Sequence, residues 1–226
     1  MGWQKLWTQV DRYMADRLVA EDEVLKRILQ NNREAALPEI DVAPNQGQLL
    51  QLLVRMQGAK RILEIGTLGG YSTVWMARAL PGDGELVTLE YDPHHAEVAQ
   101  QNLELAGVSD KVTIRVGAAL DELAKMEQER AGDFDFIFID ADKPNNPGYL
   151  EWALKFSHPG TVIVGDNVVR GGEILNPNSE DSRVRGVQTF FDMLAKDPRI
   201  TATALQTVGS KGYDGFMMGI VNGPAR

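Results

Sequence analysis

The 226-residue chain has no cysteine. That excludes disulfides, thiolate metal sites and cysteine nucleophiles. Histidine is scarce: His94, His95 and His158 are the only three, and none has a partner at metal-ligand spacing. His94 and His95 follow Pro93 at a predicted helix start and read as surface or supporting residues, while His158 reads as part of a turn. Long apolar runs are missing too. No stretch reaches the roughly eighteen residues of a membrane span. The first residues, MGWQKLWTQVDRYMADRLVAEDEV, carry charges throughout and lack the apolar centre of a secretory signal. GWQKLW lacks the Ser or Thr of a myristoylation signal. Nor is there a basic excess: 23 Lys and Arg stand against 32 Asp and Glu, a formal charge of −9. A large nucleic-acid footprint is therefore not expected, although a local basic patch stays open. Ser72 lacks the strand–Ser–helix elbow of a hydrolase, so no Ser/His/Asp triad is expected. A soluble cytoplasmic protein acting on small molecules is the expectation that remains.

What is present is ordinary globular material, 43% hydrophobic and 24% charged. The length suits one domain over 1–226, with 1–40 as a helical appendage ending near ALPEIDVAPNQGQ. Beyond it, strand-like runs alternate with amphipathic segments. RILEIG, GELVTLEY, KVTIRVG, FDFIFID and GTVIVGDN read as five strands. Between and after them, YSTVWMARAL, PHHAEVAQQNLELAG, AALDELAKMEQERAG, GYLEWALKFSH and RVRGVQTFFDMLAKD read as helices. ITATALQTVG and GFMMGIVN close the chain as two strands around a SKGYDG turn. This alternation predicts an α/β fold: a mainly parallel sheet, helices on both faces, the last strand antiparallel.

In such a sheet ligands sit beyond the carboxyl ends of the strands, and four of the five parallel strands end in acids. One carboxylate could merely cap the following helix; four point to a site. EIGTLGGYS is not a dinucleotide loop, because Gly66, Gly69 and Gly70 have the wrong spacing for G-x-G-x-x-G. Glu64, two residues before Gly66, would repel a pyrophosphate and suits a ligand with an amine and a sulfonium. Glu90, ending the second strand, can accept two ribose hydroxyls, or it can be a solvated loop acid. Together they point to S-adenosylmethionine (SAM) rather than NAD. Asp140, Asp166 and Asn167 end adjacent strands with oxygen donors only. They suit Mg²⁺, with Mn²⁺ or Ca²⁺ as alternatives, or they bond neighbouring loops. Lys143 lies three residues after Asp140. Beside a dication an ammonium is disfavoured, so Lys143 can act as a base, or it is a surface lysine.

These residues resemble the cation-dependent O-methyltransferases, a family that includes catechol and caffeoyl-CoA O-methyltransferases. The resemblance runs from APNQGQLL to the C-terminus, roughly four fifths of the chain. LEIGTLGGYS looks like the first SAM motif and VTLEYDP like the acidic ribose loop. FDFIFIDADK and VIVGDN look like the metal and base motifs. The resemblance implies a Rossmann-like class I SAM methyltransferase with a seven-stranded sheet, and a homodimer. It implies SAM contacts at Val42, Glu64, Gly66, Ser72, Glu90, Gly117, Ala118 and Asp140. A divalent metal would lie on Asp140, Asp166 and Asn167, with Lys143 as the base and a catechol-like acceptor. Methylation of a hydroxylated uridine in tRNA is the alternative activity. Three positions depart from relatives: Leu68 and Asn146 stand where Tyr occurs, and Arg170 where plant relatives have Trp. Arg170 would either hold an acid group of the acceptor or pair with Glu173.

Overall fold

A computed structural model describes residues 2–19 and 21–223; Met1, Ala20 and 224–226, parts of the expected domain, lie outside the described residues. Three helices come first, α1 (Trp3–Leu18), α2 (Glu23–Glu34) and α3 (Pro44–Gln57). Then β1 (Arg61–Ile65), α4 (Tyr71–Ala77), β2 (Glu85–Glu90), α5 (Pro93–Ala106) and β3 (Val112–Val116) alternate. So do α6 (Ala119–Gln128), β4 (Phe134–Ile139), α7 (Asn146–Lys155), β5 (Ser157–Asp166) and α8 (Ser182–Lys196). The hairpin β6 (Ile200–Gly209) and β7 (Gly212–Val221) closes the chain. The seven strands lie in the order β3-β2-β1-β4-β5-β7-β6. β7 runs antiparallel to both neighbours and the other pairings are parallel, as expected.

The β4 run FDFIFI shows why the sheet is central. Phe136 and Phe138 face the layer formed by α2 to α5, against Trp75 and Leu50. Ile137 and Ile139 face the other layer, against Tyr149, Leu150 and Phe190. All four β4 residues are fully buried. Each such side chain contributes about 1.5–3 kcal/mol, and both faces must be covered, which is why the run does not alternate with polar residues. Among the described residues no helix is long and apolar enough to cross a membrane.

Three elements differ from expectation. Helix α3 has no counterpart among the expected elements, because Gln46, Gln48, Gln51 and Gln57 dilute its apolar periodicity. Pro44 starts it and Gly58 ends it, so its stop and start signals are the legible part. β5 begins at Ser157 rather than at Gly160, because Ser157 pairs with Phe134 across an irregularity. There Thr161 Oγ1 donates to the Phe134 carbonyl and accepts from His158 N. His158 is thus a strand residue, and its Nε2 lies 2.9 Å from Asp135 Oδ1. The closing turn is only Ser210 and Lys211, so Tyr213, Asp214 and Gly215 belong to β7.

The sheet order reverses between β1 and β4, and the strands meet there without spare room. Gly66 N donates to Leu89 O at 3.0 Å and Asp140 N to Ile65 O at 2.9 Å. A Cβ on Gly66 would lie 2.2 Å from Asp140 O, and its φ is +103°. Only glycine satisfies both constraints. Helix α8 makes a similar close approach to the segment carrying Lys143. A Cβ on Gly186 would lie 2.1 Å from Lys143 O and 2.8 Å from the Pro144 Cα. Gly186→Ala should therefore overpack this contact and destabilise by about 1–3 kcal/mol. At about 2–4 °C per kcal/mol for this size, thermal melts should show a loss of several degrees. An unchanged melting temperature would show that α8 is not tightly seated there.

Candidate active site

A cavity of about 1070 Å³ opens at the carboxyl ends of β1, β2 and β4. Val42, Gly66, Ser72, Glu90, Ala118, Asp140, Lys143, Asn167 and Arg170 all line it. Its volume is at the upper end for one drug-sized ligand, so a donor and a small acceptor can share it. Glu64, Gly117 and Asp166, also named from sequence, sit just behind the wall. Glu64 lies under Ser72, Gly117 N bonds Glu90 O at 2.8 Å, and Asp166 is buried beside Asn167.

Glu64 is fully buried, and its carboxylate accepts three hydroxyls. Ser72 Oγ and Thr73 Oγ1 donate at 2.6 Å and Thr88 Oγ1 at 2.7 Å. Burial pushes its carboxyl up to about 7, against the pull of those three hydrogen bonds. Glu90 anchors the glycine loop: its Oε2 accepts Thr67 N at 3.2 Å and Leu68 N at 2.7 Å. Its Oε1 accepts Asp92 N at 2.9 Å, and His95 Nδ1 lies 3.3 Å away. The Glu90 carboxyl also borders the cavity. Asp92 itself caps α5 by accepting His94 N.

The opposite corner holds the other acids. Lys143 is 6% exposed, so it is no surface lysine, and its Nζ lies 2.9 Å from Asp140 Oδ1. Asp166 is held by Gln46 Nε2 at 2.7 Å on Oδ2 and by Asn167 N at 2.7 Å on Oδ1. Burial and, second, the Asp140 charge push the Asp166 carboxyl up to about 7. Two mutually repelling carboxylates beside an amide form a hard oxygen donor set. That set fits a divalent cation, whose charge would relieve the repulsion. Among the described residues no group of three His, Cys, Asp or Glu converges, so a cation here would need the Asn167 amide as well.

Sequence reasoning missed two supporting residues. Gln46 lies in the quoted APNQGQ, but nothing in its pattern marks it as the partner of Asp166. Asp214 Oδ1 accepts Val169 N at 2.9 Å and Arg170 N at 3.0 Å, fixing the loop after β5. A second device fixes the glycine loop from outside. Asn102 Nδ2 donates to Gly69 O at 2.8 Å and to Asn32 Oδ1 at 2.9 Å, and Asn31 donates back to Asn102 at 2.8 Å. Helix α2 thus grips the cavity wall through α5.

A model of the O-methyltransferase family matches residues 15–216. A catechol O-methyltransferase from Niastella koreensis is 51% identical over 217 residues, covering 96% of this chain and 98% of its own. The O-methyltransferase from Bacillus cereus, solved in complex with SAH, is 57% identical with a TM-score of 0.96. It covers 97% of this chain and all of its own. TomG from Streptomyces achromogenes, involved in tomaymycin synthesis and solved with SAM, is 50% identical with a TM-score of 0.95. It covers 99% of this chain and all of its own.

The Asp166 environment generates a test. Its folded value of about 7 lies above the ordinary 3.8. The stability it contributes is therefore present below about pH 4 and lost as pH rises through about 7. Asp166→Asn should raise the melting temperature in EDTA at pH 8 and do less at pH 5, since Gln46 can turn its amide to match. Melts across pH measure this, and a gain that ignored pH would contradict it.

Proposed function

The chain belongs to the O-methyltransferase family, and we propose that it transfers a methyl group from SAM to a hydroxyl of a small, catechol-like acceptor with the help of a divalent cation. SAM dependence follows from the family and from the SAM and SAH complexes of its structural relatives. The observation that carries the finer reading is one corner of the cavity. Asp140, Lys143 and Asn167 line it together, directly over the buried Asp166.

At the donor end, Glu90 accepts the ribose hydroxyls, and Ala118 and Gly117 border the adenine. Val42 and Ser72 border the amino-acid end, with Glu64 behind Ser72 to hold that wall and favour the donor's positive charge. Gly66 lets the backbone approach. At the acceptor end, Asp140, Asp166 and Asn167 would hold Mg²⁺, or Mn²⁺ or Ca²⁺, which would supply charge neutralisation to adjacent acceptor oxygens and ease loss of a hydroxyl proton. Lys143 takes that proton as a neutral amine or steers it as an ammonium, and Asp140 holds its Nζ in either role. The wall residues then align the acceptor oxygen, the methyl carbon and the sulfonium sulfur, so orientation supplies much of the rate. As the new C–O bond forms, the C–S bond breaks and its electron pair returns to sulfur.

The whole chain is proposed to be one cytoplasmic domain that works as a homodimer. Helix α1 supports the dimer: it has no buried residue, and its own Trp3, Leu6, Val10 and Tyr13 form an exposed apolar stripe. Edge strand β6 adds exposed Leu205 and Val208, and α1 packs next to β6. Light scattering should return twice the chain mass; a monomer at every concentration would exclude the dimer.

The central experiment incubates the protein with SAM, Mg²⁺ and a panel of catechols and seeks monomethylated products by mass spectrometry. EDTA should abolish turnover and Mg²⁺ or Mn²⁺ restore it. Full turnover by a verified metal-free sample would remove the cation from the reading. Lys143→Ala should lower kcat by roughly 10²–10⁴ if Lys143 moves the proton. Near wild-type kcat across pH would assign it no such role.

A further inference from the structure

Three Lys or Arg side chains line the cavity: Lys143, Arg170 and Arg183. Two are already claimed. Lys143 Nζ lies on Asp140, and Arg183 makes a forked contact with Asp181, Nε to Oδ1 at 3.0 Å and an Nη to Oδ2 at 2.6 Å. Arg170 is different. Among the described residues its guanidinium makes no ion-pair contact with Glu173 or any other acid, although its charge is felt at Asp181, which Arg183 already holds. Its Nε is out of contact with solvent and has no hydrogen-bond partner. A guanidinium with donors left unmade is costly, and a ligand group that meets them relieves that cost.

The backbone presents this side chain deliberately. Arg170 sits at φ +55°, an uncommon conformation for a residue with a Cβ. Asp214 holds its N–H at 3.0 Å and that of Val169 at 2.9 Å. Arg170 is four residues past Asp166 and three past Asn167, so it belongs to the acceptor corner and not to the Glu90 corner. The acids of the wall are Asp41, Glu90, Asp121, Asp140 and Asp142. An anionic acceptor would be repelled there unless one cation were kept free for it.

We propose that the acceptor carries a carboxylate and that Arg170 receives it, a specificity that rests on the catechol reading above. The guanidinium fork matches a carboxylate with two parallel N–H bonds. The acceptor class is then a dihydroxylated aromatic acid, its diol toward Asp140 and Asn167 and its acid toward Arg170.

The test pairs 3,4-dihydroxybenzoate with 4-methylcatechol, which has a similar shape and no charge. Wild type should favour the acid in kcat/KM. In Arg170→Gln the acid-to-neutral ratio should fall about 10–100-fold, the worth of a charge-assisted hydrogen bond. Arg170→Lys, which keeps the charge and loses the fork, should fall in between. Calorimetry with the methylated products, 4-hydroxy-3-methoxybenzoate against 2-methoxy-4-methylphenol, should show the same ratio without turnover. Should Arg170→Gln fail to fold, the wild-type ratio and Arg170→Lys decide. A wild-type preference for the neutral catechol, or equal losses for both compounds, overturns the proposal and leaves catechol methylation standing. Methylation of neither compound overturns the catechol reading and this inference with it.

Discussion

Glu64 carries a carboxyl with no access to water, held by the hydroxyls of Ser72, Thr73 and Thr88. Removing an ion from water costs several kcal/mol even after relaxation. Hydrogen bonds to a charged group return about 1.5–3 kcal/mol each, so three of them offset most of that penalty. They do not offset all of it, since the carboxyl still sits near 7. The same constraint recurs along the rim. Glu90 is answered by backbone N–H groups, Asp140 by Lys143, and Asp166 by Gln46 and the Asn167 N–H. Most polar contacts around the cavity exist because acids stand where the sheet excludes water.

Those acids also hold strained backbone. Among the described residues five non-glycine residues have positive φ: Ala36, Leu68, Arg130, Asn167 and Arg170. Such conformations cost of order 1–3 kcal/mol and persist only where the surroundings enforce them. Ala36 and Arg130 follow helix ends and donate to helix carbonyls, an ordinary termination. Leu68, Asn167 and Arg170 all line the cavity, and each donates its N–H to a carboxylate, Glu90, Asp166 and Asp214 respectively. Charge-assisted bonds roughly twice as strong as neutral ones are what such positions need. The wall of the site is therefore set by acids acting on backbone as much as by side chains facing the ligand.

This explains what could be read in advance. The strands, their order of appearance and the acids ending them follow from apolar runs with charged stops, because a sheet covered on both faces leaves charge nowhere else to go. Asp140 and Lys143 were visible for that reason. Gln46 was not, since its helix has a glutamine-rich pattern and its partner lies 120 residues away. Asp214 was hidden by its neighbours: Gly, Tyr and Asp after Ser210 and Lys211 have turn composition, yet the hairpin needs only two residues. The depth of Glu64 behind Ser72 was also invisible, because strand alternation gives a face and not a distance from the cavity.

The segment before β1 looks like an appendage in sequence, yet both corners of the cavity depend on it. Asn31 and Asn32 on α2 fix Asn102, which holds the Gly69 carbonyl of the donor-side loop. Gln46 on α3 holds Asp166 at the acceptor side. Between them, Asp41 accepts from Asn32, and Val42 lines the cavity. Opening α2 and α3 would leave a buried carboxylate short of a donor and the glycine loop short of its clamp at once. A loss of that kind on two sides is larger than either alone, so local opening there is suppressed although the helices lie outside the sheet. The strain at Leu68 and Asn167 can then be borne without loosening the site, because Gln46 on α3 holds Asp166, and the loop carrying Leu68 is clamped at Gly69 from α2 through Asn102.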